Sequence, residues 1–307
     1  MRRRYRTVDV FTERRFGGNP LAVVLDAQGL SGAQMQSIAA EFNYAETTFV
    51  LPPGDPAHTA QVRIFTPRSE VPFAGHPNVG TAFVLAQERA AAGAALPERF
   101  EFEEGAGLVP VRLLTSSGTV TGAELTAPAA LTRGAHVTAE AAAACLSLPS
   151  SAIRTAAHAP QVVSVGLAFL VAELNSRADL SASRGDLGAH ETVLPGIGTD
   201  AIFAYVRAAD EAGAHVLHAR MYAPLDGITE DPATGSATAA TLALLTALAP
   251  GGDRELSWRV HQGDDMGRPS TLLGTTVRRG GAVESVRVGG RCAPVMTGTL
   301  DIDRIPS

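Results

Sequence analysis

The chain has 307 residues, a formal net charge of −6, and is 45% hydrophobic and 18% charged. That composition fits a globular protein with a real core and excludes a disordered segment, and the acidic balance argues against nucleic acid or an anionic membrane as a general partner. All 25 basic residues are arginine, so there is no lysine for a Schiff base or for a phosphate-binding P-loop.

The first elements are strands. "YRTVDVFT" at 5–12 and "PLAVVL" at 20–25 are rich in β-branched and aromatic residues and flank a Gly-Gly-Asn turn. Ser31 opens a helix with Gln34 as its capping-box partner. "TTFVL" (47–51) and "AQVRIFT" (60–66) are strands, and Pro77 is expected to open the helix "NVGTAFVLAQERAAA". "RFEFEE", "LVPVRLL" and "TVTGAEL" continue as strands, and the mixed stretch 126–136 reads as a linker. A helix is predicted over 138–147, then strands "QVVSVG", "AFLVAEL", "AIFAYVR" and "HVLHARMY", and an apolar helix over 236–249. "LSWRVHQG", "STLLGTTVRR" and "SVRVGGRCAPVMTGTLDI" close the chain as strands.

No window reaches the roughly 18 uninterrupted apolar residues of a membrane span. The basic start "MRRRYRTVDVF" lacks the apolar run of a signal peptide, so a cytoplasmic protein is expected. Cys145 and Cys292 stand far apart, outside any CxxC spacing, and read as buried thiols. GxGxxG, HExxH and GxSxG are all missing. The chemistry falls to carboxylates, histidine, hydroxyls and backbone groups.

One pattern occurs twice. Arg63-Ile64-Phe65-Thr66-Pro67 matches Arg220-Met221-Tyr222-Ala223-Pro224 at an offset of 157, and Gly75-His76 matches Gly235-Ser236 at an offset of 160. Each copy is a strand, a proline turn, a glycine–polar pair and an apolar helix that needs its own surroundings. This reads as a duplicated domain. Two helix N-termini facing one cleft would offer free N–H groups and positive dipole ends to a small anion. The plainer alternative makes Asp231 an N-cap with Pro232 at N1, and Gly75 a turn residue.

"GGNPLAVV", "NYAETTFV", "FAGHPNVGTA", "EDPATGSA" and "HQGDDMGRPS", in that order, resemble the PhzF-like phenazine-biosynthesis isomerases over about residues 7–304. The resemblance implies the diaminopimelate epimerase fold: α+β, two similar lobes, each a curved β-sheet wrapped around a central apolar helix. The lobes would be 1–127 and 128–293, with a last strand at 294–307 returning to the first. It carries the catalytic roles to Glu46, His76 and Asp231, and substrate binding to Asn19, Gly75, Gly235 and Ser236. It implies a homodimer and a cofactor-independent proton shift between carbons of a small carboxylate such as trans-2,3-dihydro-3-hydroxyanthranilate. Neither metal nor pyridoxal phosphate is expected. Diaminopimelate epimerases use two thiols, and the matching stretches here hold no cysteine. An amino-acid epimerase or racemase using Glu46 and Asp231, or a non-catalytic binder on the same fold, are the alternatives.

Glu46 also stands out on local grounds. It lies among Ala45, Thr47, Thr48 and Phe49 with no nearby arginine in sequence, as a buried general base requires; taken alone, the segment better fits an exposed glutamate at a helix–strand junction, and the resemblance reverses this. His261-Gln262-Gly263 and Met266-Gly267-Arg268-Pro269 read as turn determinants with no chemical role.

Overall fold

In a computed structural model, which describes residues 2–302, the chain is α+β and divides into two compact units. One joins the residues up to Leu125 with those from Gly289 onward, and the other is Thr126–Val288. Positions 303–307 of the expected final strand lie outside the described residues.

The first unit is built from β1 (Arg2–Val10), β2 (Asn19–Val24), α1 (Gly32–Phe42), β3 (Glu46–Leu51), β4 (Ala60–Phe65), β5 (Glu70–Val71), α2 (Gly75–Ala91), β6 (Arg99–Glu104), β7 (Gly107–Ser116) and β8 (Thr119–Thr126). The second holds β9 (Thr132–His136), α3 (Ala139–Cys145), β10 (Ile153–Arg154), β11 (Gln161–Ser164), β12 (Ala168–Leu174), α4 (Arg177–Ala182), α5 (Leu187–Val193), β13 (Ile202–Arg207), β14 (His215–Ala223), β15 (Ile228–Asp231), α6 (Gly235–Leu248), β16 (Arg254–Gln262) and β17 (Ser270–Arg279). The long β18 (Ala282–Asp301) serves both.

In the first unit β1 and β2 are antiparallel, β2 and β3 parallel, β3 and β4 antiparallel, β4 and β6 parallel, β6 and β7 antiparallel. The second unit repeats the series with β11–β12, β12–β13, β13–β14, β14–β16 and β16–β17. The stretch read as a linker holds β9 instead, paired with β11. All five of its residues are exposed, so it has no hydrophobic alternation to mark it as a strand. Helices α4 and α5, of 6 and 7 residues, are likewise too short to show a period.

In each unit one helix packs against the sheet strands, α2 on β1, β2, β3 and β7, and α6 on β11, β12, β16 and β17. Residues His76–Val84 of α2 and Ala237–Thr246 of α6 are all buried. Small side chains make this possible. A Cβ on Gly80 would lie 2.6 Å from Leu21 and 2.8 Å from Val10, so glycine sets how closely α2 approaches β1 and β2. Two pairs of hydroxyls that enter these cores bond to each other, Thr48 with Thr81 at 2.8 Å and Thr246 with Thr276 at 2.7 Å, while the buried hydroxyls of Thr47, Thr238 and Thr241 have no partner among the described residues. Arg278, buried, donates to the carbonyls of Thr246, Ala247 and Ala249 and so closes the C-terminal end of α6.

The repeated arginine has the same job in both units. Arg63 grips Glu70 with two bonds of 2.7 and 2.6 Å. Arg220 grips Glu230 with two of 2.7 Å. The arginines are 157 residues apart and the glutamates 160, so the clasp spans the three-residue difference between the loops. Each guanidinium also lies over the aromatic ring two residues on, Phe65 at 5.2 Å and Tyr222 at 5.3 Å. Each clasp ties a strand to the segment leading into the central helix.

The two clasps differ in burial. Arg220 is 4% exposed and also donates to the carbonyls of Leu180, Ser181 and Ser183, whereas Arg63 is 30% exposed. Arg220→Met strands a mostly buried carboxylate and is expected to cost about 3–5 kcal/mol. Arg63→Met is expected to cost no more than about 1 kcal/mol. Denaturant unfolding of the two variants checks the asymmetry; equal losses would contradict it.

Candidate active site

In the first unit, Glu46 opens β3, and its backbone partner across the parallel ladder is Leu21, two residues after Asn19. The turn before Asn19 needs its glycine: Gly18 has φ +62, and a Cβ there would meet the Val10 carbonyl at 2.3 Å. Asn19 is buried at the start of β2. His76, second residue of α2, brings Nε2 to 3.5 Å from Glu46 Oε2. Glu46 is 19% exposed and His76 7%. The reading of Glu46 as an exposed junction residue is thereby corrected.

Burial lowers the His76 pKa to about 3, against a bond to the Pro20 carbonyl that works in the opposite direction. The ring is neutral at physiological pH, so its contact with Glu46 is not an ion pair. Nε2 has no hydrogen bond of its own, which leaves Nδ1–H as the donor to Pro20 and turns the Nε2 lone pair toward the carboxyl. The Gly-Asn-Pro turn thus fixes the histidine tautomer.

Gly75, one residue earlier, has ordinary helical backbone, and a Cβ there would find no atom within 4 Å. Neither turn geometry nor packing in this unit demands glycine. What glycine leaves open is the space in front of the first helical N–H groups.

In the second unit, Asp231 ends β15, buried, with Met221 opposite. It is not the N-cap of α6, and Pro232 is not its first residue. Thr234 holds the cap position, and its hydroxyl donates to Asp231 Oδ2 instead of capping the helix. Gln262 explains this. Its Nε2 donates to the Asp231 carbonyl at 2.8 Å and to Thr234 Oγ1 at 3.0 Å, and its Oε1 accepts from Thr234 N–H at 3.1 Å. Gly263 follows with φ +78, and a Cβ there would meet the Pro232 carbonyl at 2.7 Å. The His-Gln-Gly stretch, expected to be a turn without chemical role, is therefore the seat of the Asp231–Thr234 turn. Gly235 and Ser236 open α6 on a half-buried surface.

The caps separate two classes of helix. α1, α3, α4 and α5 are capped by the side chains of Ser31, Thr138, Ser176 and Asp186. α2 and α6, the two that carry candidate site residues, have no side-chain cap. Their first N–H groups keep their capacity for an anion or a carbonyl oxygen.

The two cysteines stand apart from this chemistry. Cys145 lies in α3 with its thiol pushed up to about 11, and Cys292 lies in β18 with its thiol pushed up further, both chiefly by burial.

Sequence reasoning brought out Glu46, His76, Asn19 and Gly75 in one unit and Asp231, Gly235 and Ser236 in the other. It missed Gln262, the Pro20 carbonyl, and the two clasping glutamates. The glutamates had a signal, since Glu70 and Glu230 follow the repeat's own offset. The other two depend on contacts between elements distant in sequence.

The family model described as phenazine biosynthesis-like protein matches residues 8–298. A protein of Mesorhizobium japonicum, named as an uncharacterized isomerase, is 37% identical over 98% of this chain and 99% of its own length. The trans-2,3-dihydro-3-hydroxyanthranilate isomerase of Pseudomonas aeruginosa is 34% identical over 96% of this chain and 98% of its own. The crystal structure of a PhzF-family protein from Bacillus anthracis superposes with a TM-score of 0.84 at 22% identity, covering 98% of this chain and 100% of that one, which shows a shared fold. The chain is an isomerase. It belongs to the phenazine biosynthesis-like, or PhzF, family.

The depressed histidine pKa gives a signed test. Below about pH 6.5 the unfolded chain binds a proton that the native His76 refuses until about pH 3. The native state therefore loses stability as pH falls through that window. His76→Asn, which removes the titrating ring, is expected to lose less stability than wild type between about pH 6.5 and about pH 4 in denaturant titrations. Parallel losses would show that His76 is not buried neutral.

Proposed function

We propose that this isomerase moves a proton from one carbon to another in a small carboxylate-bearing substrate, trans-2,3-dihydro-3-hydroxyanthranilate or a close relative, with Glu46 as the base. The observation that carries the reading is the 3.5 Å approach of a neutral His76 to the Glu46 carboxyl. The substrate class is taken from the Pseudomonas relative and from the uncapped helix starts, which suit an anionic group.

The ionised Glu46 takes a proton from an acidic C–H, and the bonding pair passes into the substrate's conjugated system. Now neutral, Glu46 returns the same proton to a second carbon, so no net oxidation occurs and no co-reactant is consumed. Between these steps the Nε2 lone pair of His76 accepts a hydrogen bond from the protonated carboxyl and holds the acid in place. Had the imidazole been charged, it would have favoured the carboxylate and opposed proton uptake. Backbone N–H groups at Gly75 and Gly235, with the Ser236 hydroxyl, bind carboxylate or developing enol oxygens. Asn19 orients the substrate, and Asp231 is the second acid–base group, oriented by Thr234 and Gln262. We also propose that the two units descend from a duplicated domain, because the order of strand pairings and the Arg–Glu clasp both recur.

Glu46→Gln keeps shape and hydrogen bonding but removes the base, and is expected to lower turnover at least ~10²-fold. The wild-type reaction run in D2O distinguishes the outcomes. A shifted double bond with little deuterium at the new carbon, because Glu46 returns the proton it took, supports the isomerase, whereas deuterium at an inverted carbon with no bond shift would make the enzyme an epimerase. A Glu46→Gln variant with wild-type turnover would reject Glu46 as the base.

Gly75→Val separates binding from folding. Its backbone and surroundings tolerate a side chain, so stability should change by no more than about 0.5 kcal/mol. The side chain nonetheless covers the first N–H groups of α2, and calorimetric titration with a substrate analogue should show binding lost. Normal affinity in a folded Gly75→Val protein would remove α2 from the binding account.

A further inference from the structure

Strand β6 reads "RFEFEE", and alternation decides which side chains enter the first unit's core. Phe100 and Phe102 point inward and are fully buried. Glu104 has the same phase, so a carboxylate follows two phenylalanines on the core face. Both its oxygens are buried from solvent. β6 runs parallel to β4, whose last residue, Phe65, pairs with Thr47 next to Glu46. The C-terminal end of β6 therefore points toward the end of the unit that holds Glu46.

The chain just after Glu104 packs on the segment before α2: Ala106 N–H donates to the Pro72 carbonyl at 3.0 Å, and a Cβ on Gly105 would lie 3.1 Å from Pro72. Asn78, in the first turn of α2 and fully buried, donates from Nδ2 to the Ala74 carbonyl at 3.2 Å, which fixes the orientation of its amide. Its Oδ1 is left without a donor, while both Glu104 oxygens lack a hydrogen bond of ordinary geometry. Asn78 is nevertheless the polar group that acts on Glu104.

We infer that Glu104 is a further positioning residue of the Glu46–His76 half-site, its carboxyl bracing Asn78 at the start of α2 and so setting the placement of Gly75 and His76.

Burial favours the neutral acid here, and the Asn78 amide favours the carboxylate less strongly. The Asn78 interaction lowers the Glu104 pKa, so the amide presents an N–H to the carboxyl. Burial raises the Glu104 pKa to about 8, and the Asn78 contact only partly opposes it. The neighbouring charges are engaged elsewhere. Glu103 holds the Gly54 and Asp55 amides and His58, Glu70 pairs with Arg63, and on β7 Arg112 pairs with Glu124. From α2 the nearest titratable group is His76, which is neutral. Above about pH 8 Glu104 ionises, and a negative charge appears near the helix start proposed to receive the anionic substrate.

The role of Glu104 toward substrate rests on the proposed isomerase reading, but its effect on His76 does not. The first test needs no substrate. With 13C-labelled glutamate and 15N-labelled histidine, NMR follows the Glu104 carboxyl carbon and the His76 ring nitrogens from pH 6 to about pH 10. The inference expects Glu104 to titrate near pH 8 and the His76 nitrogens to shift with the same midpoint. In Glu104→Gln, neutral at every pH, that step in the His76 signals should vanish. Titration of Glu104 in the ordinary carboxylate range, or His76 signals that ignore it, would overturn the inference. If Glu104→Gln fails to fold, the wild-type titration alone still decides.

The second test is kinetic, with trans-2,3-dihydro-3-hydroxyanthranilate. Wild-type KM should rise above pH 8, approaching tenfold per pH unit, with kcat changing less. Glu104→Gln should lose that alkaline rise. The same rise in both proteins would also overturn the inference. No turnover of the compound at any pH would count against the proposed substrate, and the NMR titration would then decide the role of Glu104 by itself.

Discussion

A buried helix must still begin somewhere, and its first turn leaves N–H groups with no partner inside the helix. Four helices here meet that demand with a side-chain cap from serine, threonine or aspartate. The two buried ones, α2 and α6, do not. At α6 the one residue placed to cap, Thr234, turns its hydroxyl to Asp231. The free N–H groups and the acidic and imidazole side chains beside them therefore follow from a single choice, which is to leave the central helices uncapped and open them with glycine. The rest of each unit holds those starts in place.

That support is made of contacts far apart in sequence. The Arg–Glu clasps tie a strand to the segment entering each central helix. Gln262, on β16, satisfies donor and acceptor groups of the turn that carries Asp231. Gly18 and Gly263 allow backbone approaches that any side chain would block. None of these residues needs to touch substrate. Each removes freedom from a group that the proposed chemistry requires to be fixed, and fixed groups lose little entropy on reaching the transition state.

Burial also decides where protons reside. The same desolvation that holds His76 neutral pushes Glu104 toward its acid form. Histidine and glutamate move in opposite directions because in each case burial disfavours the charged state. The result at the start of α2 is a neutral His76 beside Glu46, which suits Glu46 in its proposed role as a base.

The sequence by itself determined the elements with strong local signals. The capping box Ser31–Gln34 formed as its spacing requires. The apolar helix predicted over 236–249 is Gly235–Leu248, and the helix predicted over 138–147 is Ala139–Cys145. The repeated Arg-x-aromatic-x-Pro stretches did end as equivalent strands with equivalent clasps. These features depend on neighbours a few residues apart, where propensity and periodicity act. Tertiary structure alone decided the rest. Thr132–His136 became a strand because β11 offered it an edge. Asp231 lost the N-cap role to Thr234 because Gln262 arrives from 28 residues beyond Thr234. Glu104 shows both levels at once. Its alternation with Phe100 and Phe102 is visible in six residues, but its burial near Asn78 exists only once the end of β6 comes near the start of α2, because desolvation belongs to the surroundings of a side chain and not to its place in the chain.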